Sequence, residues 1–203
     1  MAMTLLPTAY LAPVAWYQCL LTQDEVSLDA CEHYQKQTPR NHCLIAMPEG
    51  AAKLTIPVSC EAHSPIRDVR ISDHGNWRHH HWNALRSAYG KSPFFEFYAD
   101  DFEPMYTTKR EFLWDFNLEL MHVIADALDN PRLIPQEAET MHTTEARRLG
   151  ETSFEPQPHL SSYYQVFAER NGFLSNLSIV DLLFNMGPES ILVLNGARST
   201  PNL

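Results

Sequence analysis

Six apolar side chains (Phe112, Leu113, Phe116, Leu120, Val123 and Ile124) form one stripe at helical spacing, and this stripe limits the possible folds more than any other feature. The spacing predicts a helix from about Thr108 to Leu128. Asn130-Pro131 stops it, because a residue before proline is pushed out of helical geometry. Such a stripe needs a cover, and the flanking chain offers short extended runs and further helices. Met3–Leu6, Val26–Ala30, His42–Met47, Lys53–Val58, Val69–Ser72 and Tyr163–Phe167 read as strands, with a hairpin turn at Pro48-Glu49-Gly50. A helix follows Pro13, with Val14, Tyr17, Leu20 and Leu21 at helical spacing. Another runs from Asn76 to Gly90, with Trp77, His81, Ala84, Leu85 and Ala88 on one face. Asp73 or Asn76 can cap it, and Gly90 stands where a left-handed closing residue belongs. Ser178 and Asp181 have the form of a capping box opening a short helix that Gly187-Pro188 ends, and Ser190–Leu194 is a last strand or helical turn. Interleaved strands and helices imply an α/β fold, a mixed sheet with helices packed on it, in a single domain over residues 1–203. Residues 131–160, rich in Pro, Glu, Thr and His with little periodicity, read as a long surface loop or flap.

Charge narrows the partners. The net charge of −10 argues against a general nucleic-acid binder, which needs a basic footprint, yet basic residues can still gather locally around a small anion. No apolar run approaches the roughly 20 residues needed to span a bilayer. The partly apolar start lacks a basic leader region and is broken by Pro7 and Pro13, so a cytoplasmic protein is expected. Cys19, Cys31, Cys43 and Cys60 form no CxxC pair, which leaves reduced thiols as the simplest state and names no metal.

Four polar stretches are candidates for chemistry. Residues 32–41 combine hydrogen-bonding groups of every kind. Lys36 and Arg40 could clamp a phosphate or carboxylate, while Gln35 and Asn41 could read amides or hydroxyls. A solvated connection between strands has the same composition. The second stretch is the run His79-His80-His81. Consecutive helical residues point about 100° apart, so these imidazoles cannot converge on one metal. His81 shares the apolar face with Trp77 and is the candidate general base, although a core histidine bonded to backbone would look the same. The third stretch, residues 89–101, sets Tyr89 and other aromatics beside carboxylates, as in sugar binding or in packing between helices. The fourth joins Tyr163-Tyr164-Gln165 to Asn176–Asp181.

Together these stretches resemble the WbqC-like family of bacterial proteins. The resemblance is carried by Tyr10-Leu11-x-Pro13, Tyr34-Gln35-Lys36-Gln37-Thr38 with Arg40-Asn41, and Ile66–Ile71 leading into Trp77–Ala84. Ser87-Ala88-Tyr89, Ser92–Glu96, Tyr163–Phe167 and Phe173–Gly187 complete it. Longer members resemble Y-x-S-G before the Tyr-Tyr-Gln region, where this chain has residues 131–160. The resemblance implies a role in surface-polysaccharide synthesis of the O-antigen type, with a nucleotide-linked amino sugar as the small-molecule ligand and acyl or aminoacyl transfer to its amine as the reaction. In that reaction His81 would be the base, and Lys36 and Arg40 would hold phosphate. Gln35, Asn41, Trp77, Tyr89, Tyr164 and Gln165 would contact the ligand. No cofactor is implied. The competing expectations are a non-catalytic binding or assembly module, and a metal-dependent hydrolase using His74, His79 and Asp100 or Asp101.

Overall fold

A computed structural model describes residues 3–138, 147–148 and 162–196. Strand β1 (Thr4–Leu6) leads through helix α1 (Val14–Thr22) to β2 (Val26–Asp29), which pairs in parallel with β1. Parallel neighbours need a crossover, and α1 supplies it. Nearly every side chain of α1 is buried, as expected of a helix that is apolar all round. Pro13 precedes its first turn in extended conformation, the Val14 amide donates to the Leu177 carbonyl, and the Ile179 amide donates to that of Ala12.

β3 (His42–Met47) and β4 (Gly50–Thr55) form an antiparallel hairpin, and β5 (Val58–Ser59) pairs with β6 (Arg70–Ile71). Helices α2 (Trp77–Tyr89), α3 (Phe95–Thr107) and α4 (Leu113–Ala127) follow, then β7 (Gln136–Ala138) and β8 (Arg147–Arg148). The last two complete an all-parallel sheet of order β7-β2-β1-β8. Helices α5 (Ala168–Asn171), α6 (Ile179–Met186) and α7 (Ser190–Asn195) end the described chain. The architecture is a single α/β domain in which one aromatic-rich core runs through sheet and helices. Phe184 alone has Tyr89, Phe95 and Phe102 ring centroids 5.1 to 5.5 Å away.

Several local expectations change. The stripe on α4 is inward as predicted, but the helix starts at Leu113 because the preceding residues pair with the β5–β6 ribbon. The Ile71 amide donates to the Glu111 carbonyl, and the Leu113 amide to that of Val69. The aromatic and acidic run after Ser92 is itself helix α3, which buries Phe95, Tyr98, Phe102, Met105 and Tyr106 and leaves Asp100 and Asp101 exposed. Gly90 is not left-handed. Its φ is −59°, and a Cβ there would meet the Arg86 carbonyl oxygen at 2.6 Å, so close approach is what favours glycine. Neither Asp73 nor Asn76 caps α2 with its side chain. Tyr163–Phe167 forms no strand. Of the expected loop at 131–160, Pro131–Leu133 is a 3-10 turn, and residues 136–138 and 147–148 are sheet strands. The rest of that segment lies outside the described residues. Among the described residues no helix is long and apolar enough to cross a membrane.

Candidate functional site

The loop from β2 to β3 turns its charges in two directions. Glu32 and Arg40 go inward: Arg40 is 7% exposed, and its Nε donates to Glu32 Oε2 at 3.1 Å, with a second guanidinium nitrogen on the same oxygen. The Thr8 amide donates to Glu32 Oε1, Arg40 also donates to the Thr38 hydroxyl, and Asn117 Nδ2 donates to the Arg40 carbonyl. Burial pushes the Glu32 carboxyl up to about 7, against the opposing pull of Arg40. Arg40 therefore ties down the base of the loop and is separated from Lys36, which is exposed at its tip beside exposed Gln35.

That tip forms one wall of a cleft of about 760 Å3. Tyr34, Lys36, Gln37, Asn41 and His42 face Lys53 and Thr55 of β4 and the chain from Ile56 to Cys60. Hairpin register makes the juxtaposition, since His42 pairs with Thr55 and Leu44 with Lys53. Asn41 closes the floor. Its Nδ2 donates to the Ile56 carbonyl and its own backbone carbonyl accepts the Ile56 amide, both at 2.8 Å, while its buried Oδ1 has no partner among the described residues. Burial, and then Lys53, lower the basicity of His42. Burial pushes the Tyr34 hydroxyl up to about 12, with Cys60 adding to the shift and Arg40 opposing it. Gln37 holds a left-handed φ of 61°, a conformation that costs a non-glycine residue energy. None of the described lining residues is acidic. The cleft can accept an anion on Lys36 and Lys53 as point charges, with neutral polar groups below them to orient what is attached.

Tyr89 and Gln165 belong to a different, buried centre built on Asp181. Tyr89 donates to Asp181 Oδ1 at 3.0 Å, and Tyr163 and Gln165 donate to Oδ2 at 2.7 and 2.8 Å. Tyr89 also accepts the Ala46 amide. Burial raises the Asp181 carboxyl above its usual range, while its tyrosine and glutamine donors work the other way. The capping box is thus only half present. Ser178 Oγ accepts the Val180 amide, but Asp181 turns into the core instead of capping. The sequence pattern alone gave no sign of this. Tyr164 points the opposite way from its neighbours and is 56% exposed.

His81 is also a core residue. Its Nδ1 lies 2.9 Å from the Tyr10 hydroxyl, which is 2.9 Å from that of Tyr106. Burial lowers the imidazole to about 4, opposed by a hydrogen bond to the Thr55 backbone. Trp77 meets the His81 ring edge-on with centroids 5.1 Å apart, and its indole nitrogen donates to the Ser72 carbonyl. His79 and His80 are exposed on the outer side of α2. Among the described residues no group of three His, Cys, Asp or Glu side chains is placed to hold a metal ion. Of the nine residues expected to act together, Lys36 and Asn41 share the cleft and Tyr89 and Gln165 share the Asp181 centre. His81 and Trp77 are adjacent in the core, Arg40 lies under the loop, Gln35 is exposed at the loop tip outside the cleft lining, and Tyr164 is on the surface away from its buried neighbours.

The model of the WbqC-like protein family matches residues 8–152, a span that includes both walls of the cleft. No curated protein and no solved structure matches the chain.

Proposed function

The chain belongs to the WbqC-like protein family, and from that premise we propose that it serves surface-polysaccharide synthesis by holding a nucleotide-linked amino sugar in the cleft between the 34–42 loop and β4. One observation carries this reading: Lys36 and Lys53 line a cleft that has no acidic side chain among the described residues, in a chain whose net charge is −10. A local positive field of that kind raises the concentration of a phosphorylated ligand against the sign of the whole molecule. Lys36 and Lys53 hold the phosphates, while Gln37 and Asn41 Oδ1 orient the attached groups. In the transferase form of the reading, the sugar amine attacks the acyl carbon of an activated acyl donor. The C–N bond forms as the bond from the acyl carbon to the donor's leaving group breaks, that group departs, and His81 takes the amine proton. The imidazole must then exchange its bond to Tyr10 or to the Thr55 backbone for one to the substrate.

The test is a thermal-shift and calorimetric screen of nucleotide sugars carrying free amines. A ligand at 100 times its Kd should stabilise the protein by about 2.7 kcal/mol. The Lys36→Gln/Lys53→Gln double variant changes only exposed side chains and should lose that shift. An unchanged shift in the double variant removes this cleft from consideration. A second reading, a non-catalytic binding or assembly module, draws support from His81, whose neutral ring is buried and bonded within the core. Recovery of a bound nucleotide sugar chemically unchanged, with every acyl donor supplied, would favour that module over a transferase.

A further inference from the structure

The histidine-rich helix opens onto a second cleft that the proposed function does not use. It is about 380 Å3 in volume, lies between the start of α2 and the end of α3, and its lining includes Asp73, Arg78, His79, Trp82, Tyr106 and Lys109. Three features define its chemistry. Asp73 bridges two cations, accepting from Arg78 and, at 2.6 Å, from Lys109 Nζ, so the cleft already gathers positive charge around one carboxylate. Those donors are not exhausted: Arg78 Nε is buried without a partner among the described residues, and the Lys109 side chain is 75% exposed. Finally, the inner end of the cleft shows the edges of Trp82 and Tyr106, which are buried and stacked on each other with centroids 5.7 Å apart and planes inclined by 18°, the Trp82 indole nitrogen donating to Glu103 Oε1 at 3.1 Å.

We propose that this second cleft is a binding site for a small ring-bearing anion, a sugar phosphate or ring carboxylate, whose acidic group displaces Asp73 from Arg78 and Lys109 while its ring meets the edges of Trp82 and Tyr106. A guanidinium and an ammonium converging on one carboxylate form the arrangement that holds a phosphate or carboxylate from solution. Asp73 occupies the position of the ligand's charge and competes with it. Its side chain is half exposed and can swing outward. The volume suits one monosaccharide with its charged group, and the outward position of His79, bonded through Nε2 to Asn83 at 2.8 Å, leaves the mouth polar. The site stands independently of the first cleft, because none of its lining residues is shared.

The experiment follows the Trp82 indole N–H signal by NMR, assigned with Trp82→Phe, during titration with glucose 1-phosphate, inorganic phosphate and neutral methyl glucoside. The expected result is a saturable shift with glucose 1-phosphate, a weaker one with inorganic phosphate and none with methyl glucoside. Lys109→Gln should weaken binding about tenfold, as loss of one charge-assisted contact does. Asp73→Asn should tighten it by removing the internal competitor. The Lys36→Gln/Lys53→Gln double variant should leave this titration unchanged, which separates the outcome from that of the first cleft. A non-saturable shift, an equal response to methyl glucoside, or insensitivity to both Lys109→Gln and Asp73→Asn would overturn the proposal.

Discussion

The Tyr163 hydroxyl donates to Asp181 Oδ2 at 2.7 Å, joining an irregular segment to the first turn of α6. Tyr89 of α2 reaches the other oxygen of the same carboxylate, so three separate parts of the chain meet on one buried acid. Buried donors that lose their acceptor pay the full desolvation cost. Asp181→Ala should therefore destabilise the fold by roughly 3 kcal/mol or more, and Tyr163→Phe by about 1 kcal/mol. Urea unfolding at pH 7 measures both, and similar losses for the two variants would show that Asp181 does not organise the centre.

Arg40→Ala leaves Glu32 buried with its cationic partner gone. Loss of one member of a buried pair costs about 3–5 kcal/mol, so the variant should lose stability before it loses ligand. Chemical denaturation run beside the thermal-shift screen separates the two effects. A stable Arg40→Ala protein with abolished nucleotide-sugar binding would return Arg40 to the ligand.

Two buried titrating groups set opposing pH slopes. His81 falls from 6.5 to about 4, so the unfolded chain binds the proton more readily. Its contribution is present above pH 6.5 and is lost as pH falls through about 4, on the order of 3 kcal/mol. Glu32 rises from 4.5 to about 7, so its contribution is full below pH 4.5 and is lost as pH climbs through about 7. In wild type the two slopes oppose each other between pH 4.5 and 6.5, with Asp181, its carboxyl also raised by burial, adding to the Glu32 side. His81→Gln should make stability fall more steeply as pH rises in that window, and Glu32→Gln should make it rise more steeply. Parallel curves for all three proteins would contradict both assignments.

Gly187 closes α6 with φ 55°, and a Cβ there would lie 2.5 Å from the Phe94 ring. The Phe94 amide donates to the Phe184 carbonyl, which holds that ring in place. Gly187→Ala combines backbone strain with a clash and should cost about 2 kcal/mol. A melting temperature within a degree of wild type would mean that the ring moves freely aside.

Period and punctuation made much of the fold legible. β3 spans His42–Met47 as expected, α2 follows its apolar face, and Ser178 caps α6. Failures came where side chains replaced backbone partners. Tyr163–Phe167 has strand-forming residues, yet the Gln165 carboxamide accepts the Leu174 amide and donates to the Leu174 carbonyl, doing for the chain what a neighbouring strand would do. The first cleft was half legible. Lys36 and Asn41 stand out in their loop, but Lys53 reaches them only through the register of the hairpin. Asp181 was hidden because a capping pattern and a buried acceptor share the same residue spacing.

The order of the parallel sheet sets a timetable for folding. β1 is flanked by β2, the next strand in the chain, and by β8, where Thr4 pairs with Arg147. The antiparallel hairpin can close from neighbouring residues alone, whereas the sheet waits for partners from the far half of the chain. Such non-local closure slows folding, because the loop entropy is lost before the contacts reward it. During synthesis the β1 edge that β8 will cover therefore stands open until most of the chain has emerged from the ribosome. Until then it is the place where a nascent molecule is most exposed to pairing with another copy.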